Sequence, residues 1–366
     1  MSARVVVAMS GGVDSSVAAA ILREQGYDVV GIAMRLVSGE SSGGGGERRQ
    51  TCCSYEDFED ARRVAERMDF PFYVADLRAE FSAGVIDNFV DEYVAGRTPN
   101  PCVMCNREIK FARLWRRARA LGADFVATGH YARVERDAAG RFHLLRAADA
   151  AKDQSYFLFA MTQAELARTL FPLGEMTKGE VRECARALGL ANADKPESQE
   201  ICFVPEGDYA RFVADRVHPD RIRAGQVVNG DGRVLAEHNG IHRFTVGQRR
   251  GLGVAAGEPL YVREIDADLG RVVVGRRDEL ASRGLIARQV SLVDDRLAER
   301  GEREIEVKIR YRHPAVPATL KLLTGERAEV RFATDGYPAV TPGQACVFYE
   351  RDEVLGGGFI ERALEA

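Results

Sequence analysis

The chain has 366 residues, 46% hydrophobic and 29% charged, with a formal net charge of −4 at pH 7. That length accommodates roughly two to three domains, and the balance is that of an ordinary globular protein. It excludes a nucleic-acid binder held by bulk positive charge, so any such site is expected as a local basic patch. No apolar run reaches bilayer length, and "MSARVVVAMSGG" at the N-terminus has too short an apolar segment for a signal peptide. The expectation is a cytoplasmic protein that makes no membrane contact. Its cysteines are Cys52, Cys53, Cys102, Cys105, Cys184, Cys202 and Cys346. In a reducing compartment they are not a disulfide framework.

The first half reads as alternating strands and helices. "RVVVAM" (4–9) is a continuous apolar strand, and Val13, Val17, Ile21 and Leu22 follow at helical spacing until Gly26. "DVVGIAMRL" (28–36) is a second strand, and the glycine-rich 38–50 is a loop. Ser54 caps a helix with Phe58, Ala61, Val64 and Met68 on one face; "FPFYVADL" (70–77) and "DFVATGHYA" (124–132) are strands; 80–95 and 106–121 are helical. "TKGE" (177–180) is a capping box opening a helix with Val181, Cys184, Ala185 and Leu188 inward and Gly189 at its end. Repeated strand–helix units predict a parallel sheet with helices on both faces.

After about residue 210 the strands become short. "GQVVNGDGRVL" (225–235) carries the hairpin signal Asp231-Gly232, and 259–275 is a second hairpin. From about 284, six short segments at close intervals predict a small antiparallel barrel. The predicted architecture is an α/β domain over 1–212, a central β-rich module over 213–282 and a C-terminal β-barrel over 283–366.

"SGGVDSS" (10–16) lies between the first strand and the first helix, at the carboxyl end of a strand, where ligands bind. Gly11 and Gly12 admit close approach of an anion, Ser10, Ser15 and Ser16 offer hydroxyls, and the helix N-terminus offers N–H groups. No Gly-Lys-Ser/Thr follows, so no loop lysine reaches a phosphate. The plain alternative is a glycine turn with a Ser or Asp cap. The loop resembles the PP-loop of ATP pyrophosphatases, which implies an adenine nucleotide alpha hydrolase-like fold, ATP cleaved between its α- and β-phosphates, and Mg2+ acting with Asp14. By that resemblance Ala8, Met9, Ser10, Gly11, Gly12, Val13, Asp14, Ser15, Ser16, Met34 and Gly129 form the ATP site.

"NPCVMCN" (100–106) spaces Cys102 and Cys105 as a metal pair, a redox disulfide or a reactive thiol would. Cys184 and Cys346 read as packing residues, and adjacent Cys52 and Cys53 as structural ones. Cys102, Cys105 and Cys202 sit in polar contexts that read as turns. Zinc asks for about four ligands, and the CxxC is not at the first strand–helix turn where a thioredoxin motif belongs. A pair of reactive cysteines accounts for them better.

"AMSGGVDSSVAA" (8–19), "CCS" (52–54), "GRTPNPCVMCN" (96–106), "ATGHYAR" (127–133), "KDQSYFL" (152–158), "ICFV" (201–204), "FTVGQRRGLG" (244–253) and "YR" (311–312) together resemble the tRNA-specific 2-thiouridylase (MnmA) family over nearly the whole chain. The resemblance implies that ATP adenylates the C2 oxygen of the wobble uridine, position 34 of the tRNA, and that sulfur replaces it. Cys202 matches the persulfide carrier. Cys105 matches the partner thiol, which releases sulfide and leaves a transient Cys105–Cys202 disulfide, or resolves the persulfide after it attacks the base. Asn100, Pro101 and Cys102 match the target-base contact; many relatives have aspartate where Cys102 stands, so a thiol replaces a carboxylate. His130, Lys152, Asp153, Gln154, Arg310, Tyr311, Arg312 and Gln344 match tRNA contacts. The implied partners are tRNAs for Lys, Glu and Gln and a protein that donates persulfide sulfur. Two alternatives stand beside this reading. One is a [4Fe–4S] cluster on Cys102, Cys105 and Cys202, against which the persulfide pair is preferred. The other is a different PP-loop ligase that adenylates for an amine nucleophile, which leaves Cys105 and Cys202 without a role.

Overall fold

A computed structural model describes residues 2–37, 55–196, 201–294, 297, 301–334 and 337–365. The expected loop over 38–50, the Ser54 cap and Cys52 and Cys53 lie outside the described residues. The chain divides into two compact units: Met1–Val85 with Cys102–Pro205 and Asp352–Val354, and Ile86–Pro101 with Glu206–Arg351 and Leu355–Ala366.

In the first unit β1 (Arg4–Ala8) leads into α1 (Val13–Glu24), β2 (Asp28–Arg35), α2 (Tyr55–Arg67) and β3 (Phe72–Asp76). A helical stretch, α3 (Arg78–Phe81), a π turn over Ser82–Ile86 and α4 (Asp87–Val94), carries the chain into the second unit. It returns along α5 (Pro101–Met104), a longer π segment over Cys105–Arg113 and α6 (Leu114–Ala120), then β4 (Phe125–Ala127). A hairpin of β5 (Arg133–Arg136) and β6 (Phe142–Leu145) follows, then α7 (Gln163–Leu166), β7 (Thr169–Leu170) and α8 (Lys178–Ala187). The sheet is parallel, in the order β3-β2-β1-β4-β7. Strand order reverses at β1, so the loop after β1 opens at the topological switch point, where such sheets bind ligands. Val5 and Val7 of β1 and Met9 just after it pack with Val13 and Val17 of α1, Ala61 and Val64 of α2, and Val181 and Ala185 of α8. These are the apolar positions the helical and strand periods mark.

Two local expectations change. The strand read over 124–132 is only Phe125–Ala127, and "TGHYA" leaves the sheet. Cys102 and Cys105, read as lying in turns, are helical, because Pro101 stands at the first helical position, where its fixed φ and missing N–H cost nothing.

After Pro205 the chain re-enters the second unit, where α9 (Tyr209–Ala214) follows. Its central sheet, β8 (Gly225–Val228), β9 (Val234–His238), β10 (Tyr261–Asp266) and β11 (Arg271–Gly275), runs in the order β10-β11-β8-β9. Both predicted hairpins are present, and β8 and β11 join them in parallel. Six strands then close an antiparallel barrel: β12 (Ala281–Leu292), β13 (Arg303–Lys308), β14 (Val316–Leu323), β15 (Arg327–Phe332), β17 (Ala345–Glu350) and β18 (Glu353–Glu365), with the two-residue β16 (Tyr337–Pro338) beside the start of β12. The pairs β12–β15–β14–β13–β17–β18 return to β12, which leaves the ring no open edge. Leu285, Val307, Leu320, Val330, Phe348 and Ile360 fill it. Cys346 lies fully buried there, and burial pushes its thiol up to about 12, as befits a packing residue.

Candidate active site

The buried strand β1 ends in a loop whose carbonyls are tied down. Ser15 Oγ and Ser16 Oγ donate to the Gly12 carbonyl at 3.1 and 3.0 Å, and Asn192 Nδ2 donates to the Gly11 carbonyl at 3.0 Å. Ser10 N donates to Ser15 Oγ at 3.1 Å. Gly11 has φ +75°, and a Cβ there would collide with the backbone of Asp57. The first-turn N–H groups of α1 have no partner within the helix and suit an anion.

Asp14 in that first turn is surrounded. Tyr131 Oη donates to its Oδ1 at 2.8 Å, and Lys178 Nζ donates to Oδ1 at 2.7 Å and Oδ2 at 2.8 Å. Lys178 is 9% exposed. Its position follows from the capping box: Thr177 accepts from Glu180 N, Glu180 Oε2 accepts from Thr177 N at 2.7 Å, and Lys178 N donates to Asp149. The sequence shows the box, but not that its lysine reaches the loop. For an anion on this loop, the missing Walker lysine is the one sequence signal to look for a cation elsewhere. Gly129 packs on the same turn, where a Cβ would lie 2.7 Å from Ser15 N and 2.8 Å from the Asp14 carbonyl carbon. Met34, near the end of β2, is partly exposed, whereas Met9 is core at 1% exposure.

The cysteine segments share a support. Cys202 lies in the turn closed by Val204 N to the Ile201 carbonyl, and the adjacent Phe203 meets Phe81 edge-on at 5.6 Å. Cys105 opens the π segment; Glu108 on it lies against Gly84, in the π turn that follows Phe81. The helical stretch from Arg78 therefore braces both segments. Asn106, which sequence reasoning passed over, is 3% exposed and donates to the Phe157 carbonyl at 3.0 Å, anchoring the helix beside Cys105. Neither Cys105 nor Cys202 stands in a disulfide; both are partly exposed, and Cys102 is exposed. Among the described residues no three His, Cys, Asp or Glu side chains gather as metal ligands. Cys102, Cys105 and Cys202 are thus not gathered as three metal ligands in this structure.

His130 is 9% exposed. Burial and then Lys110 hold its pKa well below the usual histidine value, so the ring is neutral. Its Nδ1 donates to Thr128 Oγ1 at 2.7 Å and its Nε2 accepts from Lys110 Nζ at 3.4 Å. Asp153 is buried and accepts from Ala147 N, Ser155 N and Ser155 Oγ; Gln154 accepts from Tyr131 N; Lys152 is partly exposed beside them. In the second unit Gln344 Nε2 donates to the Thr98 and Pro99 carbonyls at 3.0 and 3.2 Å, immediately before Asn100 and Pro101, which are both buried. Arg310 donates to the Ala339 carbonyl and Thr341 Oγ1, Tyr311 is partly exposed, and Arg312 is exposed.

Three family models match the chain: a tRNA methyl transferase HUP domain over residues 3–206, a tRNA methyl transferase PRC-barrel domain over 210–276 and an aminomethyltransferase beta-barrel domain over 282–360. The chain is 55% identical to a tRNA-specific 2-thiouridylase MnmA of Geobacter metallireducens, across 99% of this chain and 97% of that protein. It is 50% identical to the protein of the same name from Solibacter usitatus, across 98% and 99%. Among solved structures, a 4-thiouridine synthetase–RNA complex with bound ATP overlaps at TM-score 0.37 and 18% identity, over 60% of this chain and 51% of that one, an overlap from which no detail transfers.

Proposed function

The chain belongs to the tRNA-specific 2-thiouridylase family and is an enzyme of tRNA 2-thiolation, and from that premise we propose how its own residues carry the reaction. ATP lies on the Ser10–Ser16 loop with its phosphates toward the first turn of α1. Met34 and Gly129 bound the nucleotide, and Lys178 supplies the positive charge that the loop itself lacks. Support comes from the geometry: the loop's carbonyls are tied away and a nearly buried ammonium stands at Asp14. Mg2+ bound with ATP would neutralise phosphate charge, and Asp14, the one carboxylate of the Ser10–Ser16 loop, would help to hold it from its place beside Lys178 and Tyr131.

The C2 oxygen of the wobble uridine attacks the α-phosphorus, pyrophosphate leaves, and the oxygen becomes part of an ester that can depart as AMP. Cys202 carries a sulfane sulfur received from a donor protein's persulfide. The Cys105 thiolate attacks the Cys202 sulfur, the S–S bond to the outer sulfur breaks, and hydrosulfide is released at the base. Sulfur adds to C2 and AMP departs. The Cys105–Cys202 disulfide left behind takes two electrons from an external thiol reductant before the next turnover. The observation that carries this reading is the shared brace: both thiol segments pack on the stretch from Arg78, in the unit that holds the glycine loop.

We assign Asn100, Pro101 and Cys102 to the target base, and Lys152, Tyr311 and Arg312 to direct tRNA contact. Asp153, Gln154, Gln344, Arg310 and His130 bond to neighbouring backbone or side chains and support those surfaces. The substrates are the tRNAs for Lys, Glu and Gln. The test is purified enzyme with tRNA, ATP and a persulfide donor. Cys202→Ser and Cys105→Ser are expected to keep tRNA-dependent pyrophosphate release and to make no 2-thiouridine by nucleoside mass analysis. Thiolation by Cys202→Ser at the native rate would remove the persulfide role.

A further inference from the structure

We propose that Asn192 is a positioning residue that sets the direction of the Gly11–Gly12 peptide and so keeps the anion-binding face of the glycine loop in place. The proposal rests on the reading that ATP occupies this loop. A trans peptide points its C=O and its N–H to opposite sides. With the Gly11 carbonyl held on Asn192, the Gly12 N–H faces the other way. Glycine on both sides makes this peptide easy to turn over, since neither residue resists the required change in φ and ψ. Turned over, it would aim a carbonyl oxygen where the N–H had been, and a carbonyl dipole repels a phosphate.

One side-chain amide controls two successive carbonyls. Asn192 Nδ2 gives one hydrogen to the Gly11 carbonyl at 3.0 Å and the other to Ser16 Oγ at 2.9 Å. Ser16 Oγ then donates to the Gly12 carbonyl at 3.0 Å. The orientation of the amide is forced, because its oxygen in the same place would oppose the Gly11 oxygen. Asn192 is 4% exposed, and its Oδ1 is buried with no protein partner. A residue there only to fill space would be apolar and would not bury an unanswered acceptor. The segment is fixed on both sides: Leu190 and Ala193 are core, and Lys195 Nζ holds Asp57 and Asp60 at 2.7 Å each. Asp57 is the residue whose backbone lies against Gly11. The amide is thus held rigidly against the loop it orients.

The test is equilibrium ATP binding to the full-length enzyme, with KM for ATP and for tRNA measured separately. Asn192→Ala is expected to weaken ATP binding by about tenfold or more, about 1.4 kcal/mol, and to leave KM for tRNA unchanged. Asn192→Asp has the native shape but, when ionised, no donor. Burial raises such a carboxyl above about 4. At pH 8 it is expected to bind ATP more weakly than Asn192→Ala, and to recover toward wild type, measured at the same pH, as the acid form returns a donor near pH 5. This isosteric variant carries the test on its own if Asn192→Ala does not fold. Unchanged ATP binding in Asn192→Ala, or no recovery of Asn192→Asp in acid, overturns the proposal. A wild-type enzyme that binds no ATP overturns the ATP reading and this proposal together; a wild type that binds beside an equally competent Asn192→Ala overturns this one alone.

Discussion

Gly129→Ala is a test of how tightly the turn after β4 is fitted to the glycine loop. The added Cβ would stand 2.7 Å from Ser15 N and 2.8 Å from the Asp14 carbonyl carbon. Both are backbone atoms of a helical turn and neither can swing aside. To regain ordinary contact the two segments must part by about 0.7 Å. Overpacking of this kind costs about 1–3 kcal/mol. The displaced atoms belong to the turn whose N–H groups are proposed to meet the phosphates. Lengthening hydrogen bonds of about 2.9 Å by that much takes them beyond useful range. The expected outcome is a loss of about 2 kcal/mol in the denaturant-unfolding transition of the first unit, with ATP affinity in titration calorimetry reduced by about tenfold or more. Gly179→Ala is the control. It lies exposed in α8, its nearest neighbour is Thr177 Oγ1 at 3.8 Å, and alanine there is expected to gain about 0.5–1 kcal/mol and leave ATP binding alone. If Gly129→Ala matched wild type in both stability and ATP affinity, the close fit between this turn and α1 would not be what holds the site.

Three further outcomes are expected. Lys178→Met should cost about 1–2 kcal/mol, since Asp14 is only partly buried; adding Asp14→Asn should restore stability, read by thermal melting, but not ATP affinity. Arg312→Ala should lower the slope of log K for tRNA against log salt by about 0.7–0.9, whereas Arg310→Ala, which removes donors from Ala339 and Thr341, should loosen the barrel by melting temperature. His143 has its pKa raised by Glu353 first and by Asp137 as well, against partial desolvation. A raised folded-state pKa stabilises below the unfolded value of about 6.5 and is lost as pH climbs through the folded value. The stability gap between wild type and His143→Gln should therefore be full near pH 5.5 and shrink steadily above pH 6.5; a gap that grows with pH would contradict the assignment.

Local pattern alone determined a good deal of this protein. The apolar run before "SGGVDSS" and the 3.6-residue spacing after it place a glycine loop between a strand and a helix, because strand and helix periods are properties of neighbouring residues. The six barrel strands and both central hairpins were legible for the same reason, each marked by its own turns. Tertiary structure decided where those signals competed or were silent. "DFVATGHYA" has the composition of one long strand, yet the chain leaves the sheet after Ala127, and Gly129 fits against the first turn of α1. "NPCVMCN" reads as a turn by its asparagines and proline, yet Pro101 begins a helix and puts Cys105 on it. Residues 86–101 fold with the C-terminal half of the chain, tied through Glu92 to Arg288 and through Gln344 to Thr98 and Pro99. Lys178 and Asn192 converge on a loop more than 150 residues earlier in the chain. No periodicity spans such separations; they are set by which faces pack, and the charge and the donor that complete the site become visible only once the chain has closed on itself.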